Sequence, residues 1–525
     1  MKISMRLGSL TILILWVLIS GMGLPAKAQD RVIPIPTQED LCLLGDKHAC
    51  AAVRPVPFFI GDEAEAKPIT APSIPQNPYM ADGAWSNFHN DTYMSDTYFT
   101  SGPLGHSPIV SSTFLGTDIG LPSFVSFDRD GRLVAAFHKT DPTAGQRWTQ
   151  ITLMDPDTLA PLAALSLPPG PVSSPWDFGA GGYAYVDNKD RIVSATPANT
   201  IMVVSHTYTP PFLFTVEHTY GLTEVIRDED EIQGLQPDFT GRVWFTTTGG
   251  LVGTLDMNAE NGEGKVLGSI LLPAGEEIEN GMAADETGGM YLASSQAMYR
   301  LDADLDGKPS ITWREPYDAG THVKVLSRGS GTTPTLMGKD FVTIADNADP
   351  QIHVLVYRRA KQLQEGQRLV CAVPVFKPGQ SACENSLIAT DKSVIAENNF
   401  GYTSFNRVEN GSTTKPGITR IDIDEDGNGC HTVWTNIEET VASAATQKLS
   451  LANGLIYAYT KDKGPANTDA WYFTAIDFRT GEIVYKVLGG TGMLYRDHLS
   501  VLNLGPNGHI YVGVWGGIVS MGDGQ

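Results

Sequence analysis

From about residue 107 onward the chain repeats one pattern: a short apolar strand, a tight polar turn, then a second strand rich in Tyr, Val, Ile and Trp. The turns lie at 128–131, 187–190, 238–241, 285–288, 338–340, 390–392, 452–454 and 505–508, eight in all. Asp, Asn and Gly at these places supply the side-chain acceptors and the positive φ that a hairpin turn requires. The turns recur roughly every 50 residues, the period of a four-stranded blade. Two further strands are visible in several units, as at 149–156 followed by 162–167 and at 471–477 followed by 483–488. The last unit, 500–521, has only three strands, and a spare strand at 107–115 precedes the first unit. Ring closure accounts for both, because the early strand completes the final blade and removes a free sheet edge. The expected fold is all-β: an eight-bladed β-propeller of four-stranded blades over 107–525, closed by an N-terminal strand.

The stretch from Phe473 to Tyr485, Phe-Thr-Ala-Ile-Asp-Phe-Arg-Thr-Gly-Glu-Ile-Val-Tyr, resembles the repeat of PQQ-type quinoprotein propellers, and 151–158 is similar to it more loosely. The similarity spans about residues 107–521 and implies an eight-bladed ring. In that family many repeats carry a Trp, several members place adjacent cysteines over the cofactor, and a haem c domain is common. Here Tyr485 stands in the Trp position, and no adjacent cysteines or Cys-x-x-Cys-His run occurs. The resemblance therefore implies the fold, while PQQ as a cofactor is disfavoured. A shared fold does not carry activity with it.

Ahead of the repeats, Lys2 and Arg6 precede an apolar run over 10–24 that ends in Ala26-Lys27-Ala28. This is the order of a signal peptide, here 1–28, cleaved before Gln29. The run is short for a bilayer and interrupted by Ser20, Gly21 and Gly23, so the expected product is periplasmic or secreted, without a membrane anchor. Residues 29–106 form a Pro-rich extension. Whether its first part covers the channel is open, with Trp85, His89, Asp91 and Asp96 as residues able to enter it.

Charge and cysteines narrow the partners. Lys plus Arg number 37 against 59 Asp plus Glu, a net −22, which disfavours nucleic acid and anionic membranes. An exported protein can keep disulfides, and Cys42 with Cys50 and Cys371 with Cys383 are the expected pairs, leaving Cys430 free. No G-x-S-x-G, P-loop, HExxH or dinucleotide fingerprint is present.

The candidate site follows from loop lengths. With strands lettered A (innermost) to D, all A–B turns are short, whereas B–C connections lengthen at 345–350, 397–416 and 461–470. Three long loops on adjacent blades mark one rim as the binding face. The heads of the A strands approach the channel from that face and carry Glu231, Gln233, Glu279, Asn280, Glu384, Asn385, Gln447, Lys448, Asp497 and His498. Glu279, Asn280, Glu384 and Asn385 offer oxygen ligands to a calcium ion, or else cap strand ends and bind channel water. His498 beside Asp497 is the candidate catalytic base, with His138 across the mouth. Glu397, Asn398, Asn399, Asp346, Asn347, Lys448 and Trp515 complete the ligand-binding candidates. Two matched acidic turns, Asp302, Asp304, Asp306 and then Asp422, Asp424, Asp426, begin like calcium loops but lack the distal Glu, and the same residues also suit plain turns.

These features favour an exported propeller that binds a small or carbohydrate-like ligand at the channel mouth, as a calcium-assisted hydrolase or lyase. The alternatives are a PQQ-dependent oxidoreductase and a non-catalytic protein-interaction scaffold, the latter suited by Phe400, Tyr402 and Phe405 on the 397–416 loop.

Overall fold

An aspartate at the head of the turn closes the inner hairpin of each of the first four repeats. Asp128 Oδ1 accepts the N–H groups of Asp130 and Arg132 at 2.9 and 2.8 Å, and Asp187, Asp238 and Asp285 repeat the arrangement. In the first three, an arginine four residues on returns an ion pair to the same carboxylate. Local chemistry thus fixes the register of the hairpin before any long-range contact forms.

The computed structural model describes residues 34–35, 56–116, 119–141, 143–171, 182–259, 264–321, 324, 327–402, 413–441, 446–464, 468–497 and 500–524. The signal-peptide segment, Cys42, Cys50, Phe405 and His498 lie outside them. Eight antiparallel blades form the ring. Their A strands are Ile119–Phe127, Tyr185–Val186, Ile232–Pro237, Ala283–Ala284, Thr335–Met337, Ile388–Ala389, Lys448–Ser450 and Leu502–Leu504. The eighth blade takes its D strand from Ile109–Phe114, which pairs with Gly517–Gly522 as ring closure requires. Apolar side chains interlock between neighbouring blades: Val134, Ile151 and Leu153 of the first pack with Val186, Ile192 and Val204 of the second.

The extension adds a strand to each edge of blade seven. Phe59–Gly61 lies antiparallel along its outer strand, Ile483–Thr491, and Thr97–Tyr98 runs parallel to its A strand. Between these points the chain crosses the turn face and enters the channel. From Asn77 to Tyr98 it meets the A strand of every blade. It contacts Ser126 of blade one through the Trp85 carbonyl, Val186 of blade two through Ala81 and Ser86, and Pro237 of blade three through Asn77. Thr92, Tyr93, Ser95 and Asp96 then accept the N–H groups of Ala284, Leu336, Ala389 and Leu449 at 2.8 to 3.0 Å. On blade eight, Trp85 Nε1 donates to the Leu504 carbonyl at 2.7 Å and the Tyr98 hydroxyl donates to Asn503 at 2.8 Å. The segment turns sharply to do this, with Asn90, Met94 and Asp96 all at positive φ.

Two expectations are corrected. Cys371 bonds Cys430, with Cα atoms 5.9 Å apart, and Cys383 is the free, buried thiol. Cys371 and Cys430 sit on the outermost strands of blades five and six, Leu369–Pro374 and Cys430–Asn436, whereas the chain from Cys371 to Cys383 runs inward across a whole blade. Nearness in sequence misleads wherever a D–A connection spans the radius. Strands also run into both ends of the 461–470 connection: Leu455–Lys463 and Asp469–Asp477 pair as far as Lys463 with Asp469.

Two outcomes follow. Peptide mapping without reduction should recover Cys371 linked to Cys430, and Cys371→Ser should lower unfolding free energy by roughly 2–4 kcal/mol in denaturant melts. Removal of residues 1–106 exposes the inner strand edges of all eight blades and takes away the closing strand's lead-in; expression of 107–525 should give aggregated or unfolded protein by circular dichroism.

Candidate functional site

The Asn77–Tyr98 segment forms a plug along the inner edges of the A strands, and the channel end on the B–C and D–A side is termed the cup. Its floor is polar. His89 Nδ1 lies 2.9 Å from Asp96 Oδ2, His89 Nε2 lies 3.1 Å from Ser386 Oγ, and the Lys448 ammonium pairs with Asp96. Phe88 and Tyr183 pack on the same side of the imidazole, with ring centroids 4.5 and 6.3 Å from it and 5.4 Å from each other. Burial depresses the affinity of His89 for a proton, against the pull of Asp96, and likewise lowers Lys448. Asp91 bends the plug by accepting from Tyr93 N at 2.8 Å and Ser95 Oγ at 2.5 Å; burial nevertheless pushes its carboxyl up to about 7.

Beside the floor stands a pair of buried acids. Glu397 ends the B strand of blade six, Ser393–Glu397, and accepts from Gln447 Nε2 of blade seven at 2.8 Å. Asp497 of blade eight is fully buried. Burial pushes both carboxyls well up; the charge of Asp497 adds to the effect on Glu397, while Arg496 and Lys461 oppose the effect on Asp497. Glu397 Oε1, Gln447 Oε1 and both Asp497 oxygens have no hydrogen-bond partner among the described residues. Buried polar atoms left unmatched cost about 1–3 kcal/mol each, so such a cluster marks a place built for a further partner. Arg496 donates to the Tyr402 hydroxyl at 2.7 Å and Lys461 to Thr414 at 2.9 Å, ordering the rim above it.

The other candidates divide between this cup and purely local duties. Glu279 takes the Arg328 N–H at 2.7 Å, Asn280 donates to the Ser330 carbonyl at 3.2 Å, and Asn399 Oδ1 accepts the Glu384 N–H at 2.8 Å. The cation among these acids is a side chain. The buried Lys324 ammonium, lowered by burial and held up by Glu384, Glu279 and Asp346, donates to the Gly329 and Cys383 carbonyls at 2.7 and 3.0 Å. Lys324 thus places one positive charge among Glu279, Glu384 and Asp346. Among the described residues no three His, Cys, Asp or Glu side chains group to hold a metal.

The acidic turns also face elsewhere. Asp302 pairs with Arg300 and Lys361, Asp422 with Arg420, and Asp424 with His431, while Asp304 and Asp426 accept N–H groups within their own turns. Asp346 is held by His353 at 2.9 Å and Asn347 donates to Ala319, so neither reaches into the cup through those bonds. Asn398 ties its own loop to the Gln380 carbonyl at 2.9 Å, and the Trp515 N–H donates to the Arg496 carbonyl at 3.0 Å. His138 is buried, and burial with the Arg147 charge pushes it down to about 3, a neutral imidazole rather than a cation. Lys448, expected to meet a ligand, is taken by Asp96. Tyr485 is buried in the outer part of blade seven, stacked on Phe59 and bonded to the Pro103 carbonyl.

No family model matches the chain. It is similar, at 26% identity over 331 residues, to an uncharacterized protein of Archaeoglobus fulgidus, covering 57% of this chain and 62% of that one. The chain thus spans less than two thirds of that relative. Among solved structures it is similar to Sqt1 from Chaetomium thermophilum, at 11% identity and a TM-score of 0.51 over 81% of this chain and all of that one, which supports the ring fold. A putative 6-phosphogluconolactonase from Bacteroides uniformis overlaps 74% of this chain and 97% of its own, at 14% identity and a TM-score of 0.36.

The Asp91 carboxyl sets a pH test. The folded state holds its proton between an ordinary value near 4 and about 7, so the stability it contributes is complete below about 4 and is lost as pH rises to about 7. Urea melts from pH 4 to pH 7 should show the wild type losing up to about 4 kcal/mol relative to Asp91→Asn.

Proposed function

We propose that the protein is an exported propeller whose one-ended channel binds a small, hydroxyl-rich ligand of carbohydrate type. The observation that carries this reading is the buried set of Glu397, Gln447 and Asp497 with four oxygens unmatched among the described residues. Held neutral by burial, each carboxyl offers one O–H donor and one carbonyl acceptor, the complement of a sugar hydroxyl, which also donates and accepts. A cup suits a small ligand better than a through-channel does, because the plug gives it a floor. Export follows from the leader, and no helix among the described residues is long and apolar enough to cross a membrane. The neutral acids also suit general-acid assistance to a leaving alcohol, the first step of a hydrolase or lyase.

Titration calorimetry against a panel of monosaccharides, sugar acids and sugar lactones tests the reading. At least one compound should bind saturably, and Glu397→Gln or Asp497→Asn should weaken it roughly tenfold, about 1.4 kcal/mol, without unfolding the protein. Affinity should fall as pH rises and the two acids ionise. No binding across the panel, with a protein ligand recovered on the rim instead, would replace this reading with the scaffold one.

A further inference from the structure

The floor of the cup contains more than a structural ion pair. We infer that Ser386, His89 and Asp96 form a nucleophile, general base and orienting carboxylate, giving the protein an esterase activity toward small acyl esters. Two segments far apart in sequence build the set: Ser386 heads the A strand of blade six, 297 residues from the plug histidine, and Asp96 lies seven residues beyond that histidine. Such a set is recognised by geometry and not by a local motif, which is why the missing G-x-S-x-G run does not exclude it.

The hydrogen bonds assign the protons. Asp96 already accepts from the Lys448 ammonium and lies 2.9 Å from His89 Nδ1, so Nδ1 carries the hydrogen. Nε2 is then a free lone pair, 3.1 Å from Ser386 Oγ. Ser386 Oγ accepts the Thr333 N–H at 3.0 Å, which leaves its own hydrogen to point at Nε2. Nucleophile to base and base to orienting group are both within catalytic reach. Burial keeps the imidazole neutral, the form a general base needs. All three members are buried, Ser386 at 8% exposed, His89 at 1% and Asp96 at 0%, so the serine is the least enclosed of the set.

The reaction balances with water as the second substrate. Ser386 Oγ bonds to the ester carbonyl carbon as its proton moves to His89 Nε2. The ester C–O bond then breaks, and the leaving alcohol takes that proton. Water next attacks the acyl-serine and gives its proton to Nε2; the acid leaves and Oγ recovers the proton. Asp96 and Lys448 remain as they are and hold the imidazole in one tautomer and direction. This assignment goes beyond the ligand-binding reading and does not require it, because a simple ester tests the serine without any sugar.

The test uses the full chain after export, incubated with an alkyl fluorophosphonate and analysed by intact mass and peptide mapping. One adduct is expected, on Ser386, forming at least about a hundredfold faster than on any surface serine. Ser386→Ala should lose both the adduct and p-nitrophenyl acetate hydrolysis while keeping its melting temperature. Ser386→Cys should lose fluorophosphonate labelling and gain alkylation by iodoacetamide at the same position. Absence of an adduct on Ser386 in wild-type protein, under conditions that label a control esterase, overturns the assignment whatever the sugar titrations show. So does unchanged ester turnover in folded Ser386→Ala.

Discussion

The structure depends on what happens at the inner edge of the A strands. A radial blade pairs its strands outward, so the innermost strand of every blade presents unpaired N–H and C=O groups to the axis. Here one segment, Asn77 to Tyr98, supplies those partners around the whole ring. The A strands of blades two, four and six are only two residues long, and much of their inner edge is met by the plug rather than by solvent. Because the segment doubles back after Trp85 and then meets blades four to eight between Thr92 and Tyr98, it takes the tight left-handed turns at Asn90, Met94 and Asp96. Such conformations cost about 1 kcal/mol or more each and persist only where the surroundings determine them.

Burying the plug also buries its charges. Asp96 and Lys448 are both inaccessible, and a lone charge in that position would be strongly destabilising. Each is matched: Asp96 receives Lys448 and His89, and Lys448 also approaches the Phe88 carbonyl. The same rule governs Lys324, whose ammonium is held by two carbonyls among three acids. The acids of Glu397 and Asp497 break the rule by having no matching cation in contact, and burial answers by favouring their neutral forms. The floor is thus charged and compensated, and the adjoining wall is uncharged and unsatisfied.

The fold was legible because its determinants are local. Asp128, Asp187, Asp238 and Asp285 announce their hairpins within five residues, and the three-stranded last unit with its spare partner at 109–114 states the closure. The rim holding Glu397, Gln447 and Asp497 was legible for the same reason, since each sits beside a strand end. What escaped was every relation across the ring. Nothing near Cys371 shows that Cys430 lies beside it, since that requires knowing which outer strands are neighbours. Nor does anything near Glu279 or Glu384 in sequence show that the Lys324 ammonium lies among them. Lys461 and Lys463 read as loop because they are charged, although they continue a strand.

The plug also changes what the ring's chemistry can be. In a ring with an empty axis, functional groups come from the A-strand heads and the loops, all fixed to blades. Here His89 and Asp96 come from the axis itself, and Ser386, Lys448 and Glu397 come from the blades around it. The geometry of the floor is therefore set by how the extension threads the ring, and that threading is held by the backbone bonds to the A strands. Folding and site assembly are one event at this position: the hydrogen bonds that complete the inner strands are the ones that bring His89 within 3.1 Å of Ser386.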